Sequence, residues 1–268
     1  MAATHLDNLF VARLRALTSL GEVELTALDT LCSDRRHYRA RSELVVDGSH
    51  PERVHVLLEG WACRYKLLSD GRRQITALLI PGDLCDIDAL HVWRGDFAVA
   101  TLTPATVAPI SRPQLRRLAA EHARIADALG WLGAVENAML AERNACLGRR
   151  SAREHVAHLI CELFVRLAVI GRVEGDSYAL PITQEEIADV LGLTSVHVNR
   201  VLQSLRSERL IEQQGGTLKV CDWQALRKAA GFRPDYLHLE GLDGAGVDGL
   251  GAAMPPFVRP AFVADRHV

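Results

Sequence analysis

The spacing of apolar and polar residues changes several times along this chain of 268 residues. From His5 to Leu31 apolar residues recur at helical spacing, with a break near Ser19–Glu22. From Tyr38 to Ile110 short apolar runs alternate with turn signals such as Asp47-Gly48 and Pro81-Gly82, which predicts strands. The predicted strands are Val54–Leu58, Trp61–Leu68, Gln74–Ile80 and a further segment within Ala98–Ile110. Many short strands at regular spacing indicate a barrel or sandwich.

Helical spacing returns near Gln114 and continues almost unbroken to Gly148. Its apolar positions follow a three–four step that approximates a heptad. We expect this stripe to face a second copy of the chain, because the helix is too long for one small domain to cover. The alternative is a helix packed on its own β-domain. The predicted dimerisation residues are Leu129, Leu132, Glu136, Met139 and Arg143. A further helix is expected over Ser151–Ile170.

The segment Ile182–Leu202 predicts two short helices joined by a tight turn. Thr183 is a candidate N-cap, and Glu186 follows at the spacing of a capping box. Gly192 supplies the turn, since a residue without a Cβ adopts positive φ easily, and Thr194 can cap the second helix. That helix would turn an apolar side inward and polar side chains outward, as a reader of the major groove requires.

A hairpin is predicted directly after these helices, around the Gly215-Gly216 turn. A helix-turn-helix followed by a small hairpin is a winged helix, whose wing can bring Lys219 near a phosphate. The alternative interpretation is an ordinary helical hairpin within a globular core. The candidate DNA-binding residues are Thr183, Thr194, Ser195, His197, Asn199, Arg200, Gln203 and Lys219.

These side chains suit particular parts of a DNA duplex. Arg200 is the candidate for bidentate contact to a guanine or for clamping a phosphate. Asn199 could pair with adenine or cap a phosphate, and Ser195 and His197 are candidates for contact with base edges. Thr183, at the start of the first helix, would bind phosphate with help from the helix dipole.

Composition narrows the possible classes of protein. Apolar residues make up 49% and charged residues 24% of the chain, which is typical of a globular protein. The net charge of −2 means that a DNA-binding protein must concentrate positive charge locally; the second predicted helix and its end carry three arginines against one glutamate. The six cysteines form no C-x-x-C pair, and neither a signal peptide nor a membrane-spanning run is recognised. We therefore expect a reducing, cytoplasmic location and no membrane partner.

The order of strand-rich domain, long helix and winged helix-turn-helix resembles the Crp/Fnr family of bacterial transcription regulators. The most specific part is Ile182–Val220, where Thr183, Gly192, Thr194, Arg200 and Leu210-Ile211 fall at the family's hallmark positions. The resemblance implies a cyclic-nucleotide-binding-like β-roll, homodimerisation through the long helix and a palindromic DNA site.

With this resemblance we expect an α+β protein in four parts. Residues 1–112 would form the sensor β-roll with N-terminal helices, and residues 113–148 the long dimerisation helix. Residues 149–233 would form the winged helix-turn-helix, and the Gly- and Pro-rich end of the chain places 234–268 in a flexible tail.

Departures from the family's pattern bear on the effector. Cyclic-AMP-binding members carry a Gly-Glu pair and, about ten residues later, an Arg; those positions fall here on Asp86-Ile87 and near Phe97-Ala98. Carboxylates there would repel a cyclic phosphate. The N-terminal cysteine cluster of iron–sulfur members is not found before Cys32. We therefore expect neither cyclic AMP nor a cluster, and no cofactor is assigned; His55 and His91 remain possible haem ligands.

One group of potential metal ligands lies outside these motifs. His155, His158 and Cys161 occur at three-residue steps on a predicted helix, and such residues bind zinc or copper. Spanning all three positions would strain a metal site, so we favour a packed helix with no metal.

The function that we expect is sequence-specific DNA binding by a homodimeric transcription regulator, with double-stranded DNA, a second copy and RNA polymerase as partners and an unidentified effector. The alternative is a small-molecule sensor whose helical domain mediates protein contacts. No enzyme is expected, because no nucleophile elbow, P-loop or paired-carboxylate motif is recognised.

Overall fold

A computed structural model describes residues 8–239 of the chain. Backbone contacts divide the protein into two compact units, residues 1–137 and 138–268. The division falls inside a long helix, rather than at either end of the expected helical segment 113–148.

The first unit begins with helices α1 (Leu9–Leu17) and α2 (Glu22–Leu31). The side chain of Asn8 caps α1 by accepting hydrogen bonds from the backbone N–H groups of Phe10 and Val11. The break between α1 and α2 falls where the sequence predicts it, and residues 5–7 of the predicted helical segment lie outside the described residues.

Seven strands then form two antiparallel sheets. They are β1 (Arg36–Tyr38), β2 (Glu43–Val45), β3 (Arg53–Glu59), β4 (Ala62–Leu67), β5 (Arg73–Leu79), β6 (Ala98–Thr101) and β7 (Ala105–Ser111). The order is β1-β7-β3 in one sheet and β2-β6-β4-β5 in the other. Apolar side chains from both sheets fill the interior, among them Leu57, Leu79, Val99 and Val107. The predicted β-roll is thereby confirmed.

The expected helix 113–148 is two helices. They are α3 (Arg112–Glu121) and α4 (Ala123–Arg149), and His122 between them has extended backbone angles, φ −129° and ψ 98°. The His122 carbonyl oxygen accepts a hydrogen bond from the Ile125 backbone N–H at the start of α4.

The stripe assigned to dimerisation is covered by the chain itself. Leu129, Leu132, Met139 and Arg143 are each at most 8% exposed, and Glu136 is partly buried in an ion pair with Arg64 of β4. Most of this stripe is thus already buried within one chain, and its assignment to the dimer seam stays a prediction. Helical spacing identifies which residues share a face but not what covers that face.

The second unit is built around α5 (Ala152–Val169), which is buried from His155 to Val169. Helices α6 (Gln184–Leu191), α7 (Ser195–Ser207) and α8 (Trp223–Ala230) pack against it. Phe164 of α5 lies in an aromatic cluster with Tyr178 and Trp223.

A four-stranded antiparallel sheet accompanies these helices. The predicted hairpin is formed by β10 (Ile211–Gln214) and β11 (Thr217–Val220). Two shorter strands that the sequence analysis does not predict, β8 (Val173–Glu174) and β9 (Ser177–Ala179), extend it in the order β10-β11-β9-β8.

The segment 234–239, which we expected to begin the flexible tail, packs on the second unit. It forms a 3-10 helix over Pro234–Leu237. The Tyr236 hydroxyl donates a hydrogen bond of 2.9 Å to Glu162, and Leu237 is buried. The expected tail thus starts too early, because these two anchoring residues precede the Gly-rich composition. Residues 240–268 of that assignment lie outside the described residues.

Candidate nucleic-acid interface

Local hydrogen bonds fix the start and the end of α6. The Thr183 hydroxyl oxygen accepts a hydrogen bond from the Glu186 backbone N–H at 3.1 Å, and the Glu186 carboxylate accepts one from the Thr183 N–H at 2.7 Å. Gly192 ends the helix with φ 63°, in the left-handed region that favours glycine. These contacts are the capping box and turn that the sequence predicts.

Helix α7 presents one buried and one exposed side. The Thr194 hydroxyl accepts a hydrogen bond of 3.2 Å from the His197 backbone N–H and so caps the helix. The buried side is formed by Val198, Val201, Leu202 and Leu205. Burial of this side against the unit fixes which residues of α7 face outward.

The candidate residues of α7 share its outer side. Ser195, His197, Arg200 and Gln203 are exposed, and Asn199 is half-buried. Val196, between them, is 69% exposed, an unusual exposure for an apolar side chain that could touch a thymine methyl group. Thr183, Thr194 and Lys219 are also exposed. The structure thus leaves all eight candidates at the surface.

The N-termini of the two helices differ in charge. The first turn of α6 contains Glu185 and Glu186, whereas the first turn of α7 contains no acidic residue. The Thr183 N–H is also already donated to Glu186. The start of α7 therefore offers an anion a better electrostatic environment than the start of α6 does, because carboxylates oppose the positive end of the helix dipole.

The acidic residue at the end of α7 is neutralised within the unit. Glu208 forms an ion pair with Arg153 and accepts a hydrogen bond from Ser204. The hydrogen bonds from Ser204 and Arg153 lower the pKa of Glu208. Arg206 and Arg209 nearby remain exposed. The pairing of Glu208 with a residue of another helix has no signal in the sequence.

A few charged residues of the β-roll are held in internal contacts. Asp86 is 2% exposed. Its carboxylate accepts two hydrogen bonds from His55, one from the backbone N–H at 2.7 Å and one from the ring Nδ1 at 2.8 Å. Arg64 donates to Glu136 at 2.9 Å and to the Cys85 carbonyl oxygen at 2.8 Å. Its guanidinium carbon lies 4.6 Å from the centroid of the Phe97 ring. The positions at which cyclic-AMP-binding proteins carry anchoring groups are thus involved in internal contacts.

A cleft in the second unit contains several potential ligands for a metal ion. Its volume is about 10 Å³, room for about one water molecule. The residues that line it are Arg143, Cys146, His155, His158, Leu159, Glu162 and Leu191. Glu142, Cys146 and His158 place their ligand atoms within 4.8 Å of one another. Cys161, which the sequence groups with the two histidines, is fully buried in α5 and does not line this cleft.

Burial controls the protonation of this cleft. It lowers the pKa of both His155 and His158 to about 4, and nearby arginines act in the same direction. Burial also raises the pKa of Cys146, against the hydrogen bond from Arg150. At neutral pH the two imidazoles are therefore uncharged.

Across residues 8–239, no helix has the length and apolar character needed to cross a membrane.

Two family models match the chain. The model described as a cyclic nucleotide-binding domain matches residues 35–122, and that described as a Crp-like helix-turn-helix domain matches residues 154–229. The first range contains the β-roll, and the second contains α6, α7 and the wing strands β10 and β11.

Three proteins align with most of the chain. The transcriptional activatory protein AadR of Rhodopseudomonas palustris is 32% identical over 176 residues, which are 65% of this chain and 72% of AadR. The nitrogen fixation regulation protein FixK of Bradyrhizobium diazoefficiens is 28% identical over 205 residues, 76% of this chain and 85% of FixK. The structure of FixK2 from Bradyrhizobium japonicum is similar with a TM-score of 0.66 at 29% identity, covering 73% of this chain and 96% of FixK2.

Proposed function

Because the chain belongs to the Crp/Fnr family of bacterial transcription regulators, we propose that it binds a palindromic operator as a homodimer, with one α7 helix in the major groove of each half-site. DNA binding and transcription regulation are properties of the family. The observation that carries the proposal is the exposed polar side of α7 with its buried apolar back. The half-sites would lie about 34 Å apart, one turn of the duplex.

Each candidate residue has a proposed role. Arg200 reads a guanine with its two-pronged guanidinium or, failing that, clamps a phosphate. Ser195, His197, Asn199 and Gln203 contact base edges or the adjoining backbone.

The remaining candidates contact phosphates. Thr194 and Lys219 approach the backbone from the start of α7 and from the wing. The exposed amine of Lys219 lies 3.7 Å from Asp176, a loose and solvent-accessible ion pair that a phosphate can replace. Thr183 contributes its hydroxyl hydrogen only, since its N–H bonds Glu186.

The dimer seam that we propose lies on the outer side of α4. We call this surface the small-residue face; it consists of Gly130, Ala134, Ala138, Ala141, Ala145 and Gly148. Five of these residues are exposed and Ala138 is half-buried. Trp131, 44% exposed, lies along its edge. Small side chains allow two helices to approach closely, and the distance between helix axes depends on the side chains at the contact. This face replaces the buried stripe through Leu132 as the candidate seam.

The β-roll is proposed to act without cyclic AMP. Asp86 is bound to His55, and the guanidinium of Arg64 is shared between Glu136 and the Cys85 carbonyl. Burial raises the pKa of Glu136, whereas the charge of Arg64 opposes that shift. A cyclic phosphate would have to displace these internal partners, and its charge would meet Asp86.

Three further assignments are proposed on the basis of the family. The relative AadR is named as a transcriptional activatory protein, and an activator must communicate with RNA polymerase, so we retain the polymerase as a proposed partner. The regulator would work in the cytoplasm, where bacterial DNA is, and we assign it no enzymatic activity.

The proposed function is tested by selecting binding sites from a pool of random duplexes with the full-length protein. Titration of a selected site and of a shuffled duplex of the same composition then measures specificity at fixed salt. We expect the selected site to bind about 10³-fold more tightly or better, as specific regulators do. Equal affinity for both duplexes would contradict sequence-specific regulation.

A further inference from the structure

The cleft between α4 and α5 brings together three side chains with different ligand chemistry. Glu142 and Cys146 are one helical turn apart on α4, and His158 comes from α5. Positions four residues apart lie on the same side of a helix, so the carboxylate and the thiol point in one direction. Their ligand atoms and a ring nitrogen of His158 lie within 4.8 Å of one another.

His158 carries an unsatisfied group into this cleft. The residue is 3% exposed, and among the described residues its Nε2 has no hydrogen-bond partner. The carboxylate of Glu142 lies 3.2 Å from Nε2, but the two groups do not meet the alignment of a hydrogen bond. A buried ring nitrogen without a hydrogen bond is costly unless something else binds it.

The guanidinium of Arg150 is the positive charge that contacts Glu142 and Cys146 in this structure. It lies 2.6 Å from the Glu142 carboxylate and donates a hydrogen bond to the Cys146 sulfur. The Arg150 side chain is 22% exposed and follows the last residue of α4, so it can turn into solvent. Arg143, the other cation of the cleft, is instead held by Glu162 at 3.3 Å.

We propose that Glu142, Cys146 and His158 bind a thiophilic divalent metal ion of the zinc class, and that the ion replaces the guanidinium of Arg150. Zinc accepts one sulfur, one nitrogen and one oxygen ligand and leaves its fourth position to water. Ligand atoms around tetrahedral zinc are about 3.5 Å apart, as bond lengths of about 2.0–2.3 Å require. The three ligand atoms, which lie within 4.8 Å of one another, would therefore approach to about this separation when the ion binds.

Metal binding at this site releases one proton and leaves no net charge on the ion and its ligands. The S–H bond of Cys146 breaks, its proton passes to solvent, and the thiolate binds the metal. With the carboxylate of Glu142, the thiolate neutralises the two positive charges of the ion. The neutral imidazole of His158 donates its lone pair, and no redox step is involved. Calcium and magnesium are excluded by their preference for oxygen ligands alone.

Metal titration of the reduced, chelator-treated full-length protein tests the proposal. We would use a Cys221→Ser background, because Cys221 is an exposed thiol that could bind ions adventitiously. Cobalt(II) serves as the spectroscopic probe, and zinc competition against a chromophoric chelator gives the affinity. The expected result is one ion per chain with a thiolate-to-cobalt charge-transfer band.

Matched variants separate the ligands from their surroundings. Cys146→Ser and His158→Gln should each weaken zinc binding at least tenfold, and Cys146→Ser should also remove the charge-transfer band. Arg150→Gln should tighten binding several-fold, because it removes the competing cation without touching a ligand. Because Arg150 is partly exposed, this variant also keeps the test informative if a buried variant fails to fold, which circular dichroism would reveal.

Three results would overturn the proposal. They are no zinc binding by the parent protein at micromolar concentration, a cobalt complex that lacks the thiolate band, and weaker binding after Arg150→Gln. None of these measurements uses DNA, so the metal site and the proposed regulatory function can fail independently.

Discussion

Helix α7 and the β-roll use arginine in opposite ways. Arg200 on α7 is exposed and forms no ion pair within residues 8–239. Arg64 in the β-roll is bound by Glu136, by the Cys85 carbonyl and by the Phe97 ring. An exposed, unpaired guanidinium can bind a phosphate or a base at little cost, whereas a buried and paired one must first lose its partners. The contrast supports the proposed recognition of DNA by α7, whereas the charges inside the β-roll are bound within the fold.

The same contrast separates the two sides of α4. Its inner side carries Glu136 and Arg143, each paired within the chain. Its outer side carries the small-residue face, which is largely exposed. Charged side chains on a helix are therefore no guide to its interface until their internal partners are known.

The largest effect is expected from breaking an internal charge cluster. Glu162 is 3% exposed and lies within 3.4 Å of both Arg143 and Arg166. Burial tends to raise the pKa of Glu162, but the two arginines hold it below its usual value. Glu162→Ala removes the buried carboxylate that faces both guanidiniums and should cost about 3–5 kcal/mol of unfolding free energy.

Urea denaturation followed by circular dichroism measures this loss. Glu174→Ala, at an exposed position of β8, is the control and should change the unfolding free energy by less than about 0.5 kcal/mol. If the two variants are equally stable, the internal charges are not structural.

A change on the outer side of α4 should act on assembly rather than on folding. Ala141→Glu places a carboxylate from each chain in the proposed seam, where like charges repel. We expect monomers and a loss of operator affinity of about a hundredfold, equivalent to about 2.7 kcal/mol.

Light scattering after size-exclusion chromatography gives the oligomeric state of this variant. The matched control is Ala120→Glu, which makes the same substitution at an exposed position of α3. A dimeric Ala141→Glu protein with full operator affinity would rule out the small-residue face as the seam.

The cap of α7 offers a smaller effect. The Thr194 hydroxyl accepts one hydrogen bond from the start of the helix. Thr194→Ala should lower the unfolding free energy by about 1 kcal/mol, as loss of an N-cap does. Thr194→Ser retains the hydroxyl and should remain near the parent value; the cap would be unimportant if both variants behaved alike.

For the last comparison, the addition of cyclic AMP, we expect no effect. Cyclic AMP at sub-millimolar concentration should give no saturable heat in titration calorimetry, because Asp86 and Arg64 are held by internal partners. Saturable binding accompanied by tighter operator binding would mean that the β-roll rearranges around the nucleotide.

The sequence predicts helices α6 and α7 well because their determinants are local. The contacts that begin and end these helices join residues at most four positions apart in the sequence. They are the capping box of Thr183 with Glu186, the turn at Gly192 and the N-cap at Thr194. Capping rules apply at this range, so the helix-turn-helix and the outward side of α7 could be inferred from residue order.

The features that the sequence does not reveal depend on distant residues. Glu136 is paired with Arg64, 72 residues away, so no helical pattern shows that its side of α4 is covered. Strands β8 and β9 have two and three residues, too few to display a period. The cluster of Cys146 with His158 depends on which sides of α4 and α5 meet, and spacing along α5 alone suggests Cys161 instead.

The most direct test of the account is the operator affinity of Arg200→Ala beside that of Arg117→Ala, an exposed arginine of α3. Both titrations would use the selected operator and a set of its single-base-pair variants at one salt concentration. The account predicts that Arg200→Ala loses about 1–3 kcal/mol of operator binding, keeps its circular dichroism spectrum and no longer discriminates at one base pair of each half-site. Arg117→Ala should bind as the parent protein does. Unchanged operator affinity for Arg200→Ala would contradict the central claim that the exposed side of α7 reads the DNA.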